Sequence, residues 1–329
     1  MTTPRALNTA SRRLLADEGK HLMDAVQVRA SLTSTYLRLG HTRKAAAIVS
    51  GCIESCDAIG SLQFKPMVLE IVASIAYARG EFLKAKRLNE ESYHFYRRWD
   101  RQSRAAYQLE TISTTLIQLG DIASARRVYE EACALNVARS QWEETIHHIR
   151  DGLILVAEGA FDRAEQQVRE GLRLSRLRKA ARLEIIVHGV LGEIALRRAR
   201  AICNSEAAAE MAQRGLHQFI LQLILCARIK NMMYLIPCIG WLGQAFLAQR
   251  DYATARIILS WAREWATKAE ADGDHALILV AFARLEEEGG TRDASTAAWQ
   301  TALDAARAVH MGRLITECEA RVVAVEGKS

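Results

Sequence analysis

The stretch Leu119-Gly120-Asp121-Ile122-Ala123-Ser124-Ala125 decides the fold of this chain, because it recurs. Its relatives are Leu39-Gly40-His41-Thr42-Arg43-Lys44-Ala45, Arg79-Gly80-Glu81-Phe82-Leu83-Lys84-Ala85, Glu158-Gly159-Ala160-Phe161-Asp162-Arg163-Ala164 and Gln249-Arg250-Asp251-Tyr252-Ala253-Thr254-Ala255. The anchors fall at 40, 80, 120 and 159, so the steps are 40, 40 and 39. From 159 to 250 is two periods plus about eleven residues, and a degenerate anchor follows at Gly290 with Ala294 after it. A fixed period of this size marks stacked supersecondary units.

Each position has a mechanical reason. The Gly ends a helix in the left-handed conformation, where a Cβ is costly. An acidic residue beside it (Glu81, Asp121, Asp251) is placed to cap the next helix and suits its positive end. The residue five past the anchor is Ala in all five segments, a small side chain that lets the second helix lie close to the first. Seven further on come Cys52, Ser92, Ala132, Gly171 and Ala262, again small and on the same helix face.

The pattern predicts first helices near 22–39, 62–79, 102–119, 141–158, 181–199, 232–249 and 274–287. Second helices are expected near 42–58, 82–98, 122–138, 161–178, 205–228, 252–270 and 292–309. End helices are expected at 5–18 and 311–325. In domain terms, 1–21 is an end helix, 22–310 a repeat array and 311–329 a capping helix and tail. Such helix pairs bury their apolar faces only by stacking on neighbours. The fold expected is therefore all-α: a right-handed α-solenoid of about seven stacked helix–turn–helix repeats. The array is irregular near 200–237. Ala199 and Arg200 stand where a turn Gly belongs, and Pro237 falls at the start of a helix. A break in the stack there is the simpler reading, and a bend or partner site the sharper one.

Composition agrees. The 329 residues include only 3 prolines, and 50% are hydrophobic against 6% aromatic, which argues against a turn-rich β-sandwich or a disordered chain. The formal charge of +6 is mild for this length and does not announce nucleic-acid binding. The seven cysteines are odd in number and form no Cys-x-x-Cys pair, so neither a disulfide framework nor a zinc knuckle is indicated. Cys52 and Cys56 share a helix face and read as small buried residues. Free thiols fit a reducing compartment, and residues 1–20 lack an apolar core of signal-peptide length, so the expected location is cytoplasmic.

The order of Gly, bulky residue and Ala, with small residues seven further on, resembles the tetratricopeptide repeat. The unit of that family is 34 residues and closes on a proline; here it is 40, and Asp57, Arg97, Val137, Arg176 and Thr267 stand at the proline place. Those departures resemble the long-helix variant found in the MalT-type sensor region of bacterial transcription regulators and in kinesin light chain. The resemblance implies a fold and a binding role, not a reaction.

No phosphate loop of the Gly-x-x-x-x-Gly-Lys kind occurs, nor Gly-x-Gly-x-x-Gly, Gly-x-Ser-x-Gly or His-Glu-x-x-His. The adjacent His147 and His148 point about 100° apart on a helix and do not simply share one ion. Trp261 and Trp265, four apart, read as packing. No catalytic residue, metal or cofactor is expected. By the family pattern the first helices line a concave groove, which would be formed by Gln27, Ser34, Arg38, Glu70, Ser74, Tyr77, Tyr107, Glu110, Thr114 and Gln118, continuing with Ile146, Leu153 and Val156. Where the chaperone-tail binders carry a Lys and an Asn, this chain has Ala30, Glu70 and Glu110, and Ser34, Ser74 and Thr114. A carboxylate clamp of that kind is not expected.

The reading is a non-catalytic protein- or peptide-binding solenoid, a regulatory receptor or assembly scaffold, in or out of a larger complex and without a membrane partner. The alternative is a nucleic-acid-associated or transcription-regulatory protein. It rests on Arg97, Arg98, Arg101 and Arg104 around one inter-unit turn and on Arg176, Arg178, Lys179 and Arg182 around another. Arginine binds phosphate bidentately, although cations at helix C-termini also answer the helix dipole.

Overall fold

The computed structural model describes residues 22–58, 64–135, 140–202 and 205–326. Its helices are α1 (Leu22–Arg38), α2 (Thr42–Val49), α3 (Cys52–Ala58), α4 (Lys65–Ala78), α5 (Phe82–Arg98), α6 (Gln102–Leu119), α7 (Ile122–Ala134) and α8 (Gln141–Ala157). They continue as α9 (Phe161–Leu177), α10 (Ala181–Ala201), α11 (Ser205–Ile229), α12 (Leu235–Ala248), α13 (Tyr252–Ala269), α14 (Asp272–Gly289), α15 (Arg292–Ala308) and α16 (Gly312–Glu326). A short 3₁₀ turn, Met232–Tyr234, leads into α12. The expected end helix at 5–18 lies outside the described residues. No strand occurs among the described residues. Apart from α2 and α3, two pieces that pack on α1 and α4 rather than on each other, each helix packs against the one before and the one after in the chain.

The repeat positions do what their residue types require. Gly40, Gly80, Gly120 and Gly159 have φ of 74°, 79°, 83° and 78°, and Arg250 takes the same left-handed turn at 63° without glycine's freedom. Ala45, Ala85, Ala125, Ala164 and Ala255 are all fully buried. Asp121 and Asp251 cap their helices by accepting from the Ser124 and Thr254 amides, at 3.0 and 3.1 Å. Glu81 does not cap; it pairs with Lys84 and Arg79 instead.

Four details differ from the sequence reading. The second helix of unit one is not continuous: Gly51, at φ 76°, splits it into α2 and α3. Gly290 is no left-handed turn, since its φ is −108° and ψ −168°; it lacks a Cβ where one would stand 2.8 Å from the Glu286 carbonyl oxygen. Among the described residues the helices run through the proline place at Arg97, Arg176 and Thr267, and a non-glycine residue then turns left-handed at Asp100, Lys179, Lys230, Glu270 and His310. Finally, the stack does not break near 200–237. The extra residues lengthen the fifth hairpin, whose helices α10 and α11 run 21 and 25 residues. Phe219 stacks on Trp241 of the next unit with ring centroids 5.9 Å apart, and Pro237 sits harmlessly in the first turn of α12.

The array closes on itself. A Cβ built on Gly40 would lie 3.1 Å from Cβ of Met232; on Gly80, 2.7 Å from the Gly273 amide nitrogen; on Gly120, 2.8 Å from that of Arg313. Each contact spans just under five periods of chain. Unit six thus lies beneath unit one, unit seven beneath unit two, and α16 beneath unit three. Phe82, at the start of α5, is the side chain that crosses this seam: it is 3% exposed and packs with Ala276, Leu279, Trp299, Val309 and Met311. Arg43 of unit one pairs with Glu270 across the same seam.

Two outcomes test this. Ala125→Leu overfills the notch between α6 and α7 and is expected to lower stability by about 1–3 kcal/mol in denaturant unfolding. A Cβ on Gly312 would stand 2.3 Å from the Leu119 carbonyl oxygen, so Gly312→Val is expected to part the seam. The radius of gyration from small-angle scattering should rise while helical circular dichroism is kept. An unchanged radius would mean that the seam does not hold the turns together.

Candidate functional site

Glu70 and Glu110 hold the same position, ten before the anchor, on two successive first helices; Arg150 follows Glu110 by 40 residues, one place off that register because its unit step is 39. Glu110 is 3% exposed and is held by Arg150, whose Nη1 donates to Oε2 at 3.1 Å, and by His147, whose Nδ1 donates to Oε1 at 3.0 Å. Burial pushes the Glu110 carboxyl up, but His147 and Arg150 outweigh it and hold it below the ordinary carboxylate range. Arg150 also donates to the Tyr107 carbonyl and to Thr111 Oγ1, and its guanidinium lies 4.3 Å from the Tyr107 ring centroid. Glu70 lacks so close a cation. Its burial raises it, against the Tyr96 hydroxyl that donates to Oε1 at 2.6 Å and the more distant Arg104 and Arg150. The Glu110 clamp thus ties units three and four together, while the Glu70–Tyr96 bond lies within unit two.

Farther along the same helices, side chains from units far apart in sequence converge. Tyr77 hydrogen-bonds Gln118, and Asp274, Tyr234 and Glu193 surround it closely enough to act on its hydroxyl. Tyr234 in turn accepts from Arg182 and lies near Tyr107. These residues belong to units two, three, five, six and seven. Tyr77 keeps 37% of its surface open, while groups from these units crowd its hydroxyl. That crowding acts on charge: with protein on every side, the Asp274 carboxyl is pushed up to about 7. Tyr107, between Arg150 and Trp142 at 5.6 Å centroid distance, extends the aromatic lining.

The residues singled out in the sequence divide accordingly. Tyr77, Tyr107 and Gln118 belong to the enclosed cluster. Glu110 is spent in the clamp, and Glu70 is tied to Tyr96. Gln27, Ser34, Arg38 and Ser74 are exposed along the first helices. The hydroxyls of Ser34, Ser74 and Thr114 donate back to carbonyls of their own helices, at 3.1, 2.8 and 2.8 Å. Ile146 is buried in the apolar core with Val156, and Leu153 packs against it. Arg97, Arg98, Arg101 and Arg104 are exposed around the turn after α5 and form no ion pair among the described residues. The second arginine group does not stay together. Arg178 is committed to Glu144 and Thr145, Arg176 approaches Glu184 at 3.9 Å, and Arg182 reaches Tyr234 in the interior. Lys179 forms the left-handed turn itself.

Among the described residues no group of three His, Cys, Asp or Glu could hold a metal ion. His148 bonds Gln167 at 2.7 Å, and Tyr129 stacks on His147 at 5.2 Å between centroids. Cys52 and Cys56 are buried, and burial raises both thiols. Trp261 and Trp265 are not packing residues. With Ile257 they form an outward stripe on α13, 58%, 39% and 54% exposed.

Sequence reasoning missed Tyr234, Asp274, Gln244 and Arg284. The signal was present. The groove position six before each anchor carries Ser34, Ser74, Thr114 and Leu153, and its continuation in units six and seven is Gln244 and Arg284. Tyr234 and Asp274 are likewise 40 apart, sixteen before their anchors.

No family model matches the sequence, and no curated protein matches it. Solved structures do match in fold. One is a signal-transduction ATPase with numerous domains and a tetratricopeptide repeat sensor, from Pyrococcus horikoshii, at TM-score 0.50 and 11% identity over 98% of this chain. Another is the APC/C hetero-tetramer Cut9–Hcn1, at TM-score 0.51 and 14% identity over 95% of this chain. The chain folds as a tetratricopeptide-like solenoid. It spans 49% and 59% of the length of those two chains. No helix among the described residues is long and apolar enough to cross a membrane.

Glu110→Ala strands Arg150 in a nearly closed site and is expected to cost about 3–5 kcal/mol in chemical denaturation. For Asp274 the sign is the reverse of a salt-bridged acid. Its folded value lies above the ordinary 3.8, so the folded state holds the proton more tightly. Its contribution is present below the ordinary value and is lost as pH rises through about 7. Asp274→Asn is therefore expected to flatten the fall in melting temperature across that window, and parallel curves for the two proteins would refute the assignment.

Proposed function

We propose that this protein is a non-catalytic binding solenoid that takes up a peptide or protein segment in its enclosed interior, serving as a regulatory receptor or assembly scaffold. The observation that carries this reading is the convergence of Tyr77, Gln118, Tyr107, Arg182, Glu193, Tyr234 and Asp274 from five units onto one interior space. Tyrosine supplies a large apolar face with a polar tip, the surface type that recognises peptide. Arginine, carboxyl and amide groups beside it fix polarity and register. Solenoids bind along such concave faces. The fold neighbours support a binding role in kind, one being a sensor region and the other part of a hetero-tetramer.

Affinity purification from native cells, followed by hydrogen exchange of the recovered complex, tests the reading. A polypeptide partner is expected to co-purify and to protect the inward sides of α4, α6, α10, α12 and α14. Tyr77→Ala with Tyr234→Ala is expected to release it. Protection confined to the second helices would overturn interior binding.

One observation favours a second reading, contact with nucleic-acid phosphates: Arg97, Arg98 and Arg101 stand exposed at one turn, without an ion pair among the described residues. It predicts binding to duplex or single-stranded nucleic acid that weakens steeply with added salt and is lost when those three become Gln.

A further inference from the structure

Where unit five lacks its turn glycine, the chain carries Arg200, at the inner end of α10. Arg200 Nη2 donates to Gln244 Oε1 on α12 at 2.6 Å. Arg284 Nη1, from α14, donates to that same oxygen at 3.1 Å. Two guanidinium groups therefore share one amide acceptor, an arrangement that like charges resist. Gln244 is 5% exposed, so the oxygen between them is sealed behind.

The neighbouring charges are spent unevenly. Arg284 is paired with Glu317 on α16 through Nε, at 3.0 Å, and Nη2. Arg197 is paired with Glu193 one turn earlier. Arg200 has no carboxylate partner among the described residues; Gln244 is its one hydrogen-bond acceptor. A guanidinium carries five N–H donors in a planar fork, and Arg200 uses one of them. It remains exposed to the interior space, while the surrounding protein and Arg284 depress its value to about 9. This is an uncompensated cation inside the superhelix, with open donors and a second guanidinium alongside.

We propose that Arg200, with Arg284 held beside it on Gln244, is the receptor for a carboxylate of the segment bound in the interior. This rests on the peptide-binding reading above. The charge count selects the ligand. Only one positive charge is left over, so a monoanionic carboxylate neutralises the site. A phosphate dianion would bring excess charge toward Glu193 and Glu317. The planar fork matches a carboxylate bidentately. Arg200, near the turn anchor of unit five, lies outside the positions at which chaperone-tail binders hold a carboxylate, whereas Gln244 and Arg284 continue the position that carries Ser34, Ser74 and Thr114 in the first units.

Two probes separate this inference from the reading it rests on. The first is acetate, titrated at constant ionic strength with chloride as the balancing salt, while the Arg200 Nε–Hε resonance is followed by NMR. Saturable shifts are expected with acetate, weaker ones with inorganic phosphate, and none of them in Arg200→Gln. A flat acetate titration, or stronger binding of phosphate, overturns the carboxylate site. The second is selection of a random octapeptide library on the full chain. Selected peptides are expected to lose at least about tenfold in affinity when one carboxylate is converted to the amide. Arg200→Gln should bring the acid-to-amide ratio near one, and Arg200→Lys should restore it in part. Selected peptides with no acid preference overturn the inference and leave the binding reading standing. Acetate binding without any selected peptide removes the binding reading and, with it, the peptide carboxylate. Arg200→Gln removes one hydrogen bond to the Gln244 oxygen, which Arg284 still occupies, and its melting temperature checks that it folds.

Discussion

The contact between successive turns of the superhelix is the constraint on which the rest depends. A stack of helix pairs is in principle an open spring, since each unit touches only its neighbours. Here the backbone at Gly80 meets Gly273, and that at Gly120 meets Gly312, at distances that leave no room for a Cβ. Phe82 fills the seam from above with an otherwise fully buried aromatic. Without that closure the first helices would line a shallow groove open to bulk water. With it, Tyr77 and Asp274, nearly two hundred residues apart, share one interior, and water is thinned enough for a carboxyl to hold its proton near neutrality.

Much of this was legible in the chain. The alanine at each fifth position past the anchor, and the small residue seven further, have one purpose, and all five alanines are buried as that purpose demands. The helix limits follow within a few residues for the same reason: a left-handed glycine and an acidic cap are local chemistry. Arg250 and Glu270 show the limit of that logic. Each adopts a left-handed backbone without glycine, because stacking on both sides outweighs a local cost of about 1–2 kcal/mol.

What could not be read was anything set by the pitch of the superhelix. No local signal says that unit six returns beneath unit one, so the glycines at 273 and 312 look unremarkable in sequence. For the same reason Glu110 reads as a groove residue, although a cation 40 residues later folds back over it. Repeat arithmetic places residues on a face. It does not say which of them a neighbouring unit will then cover. The outward Trp261 is the converse case, an aromatic at helical spacing that the array leaves uncovered.

The glycine seam also makes the number of units between its two lips an invariant. Gly40, Gly80 and Gly120 find their counterparts because the intervening chain completes one revolution. Excising a middle unit would rotate every downstream lip by one step and bring side-chain-bearing backbone against side-chain-bearing backbone. Solenoids are commonly regarded as modular, free to gain or lose repeats. This one behaves more like a ring with a fixed count, in which the middle is closed to such editing.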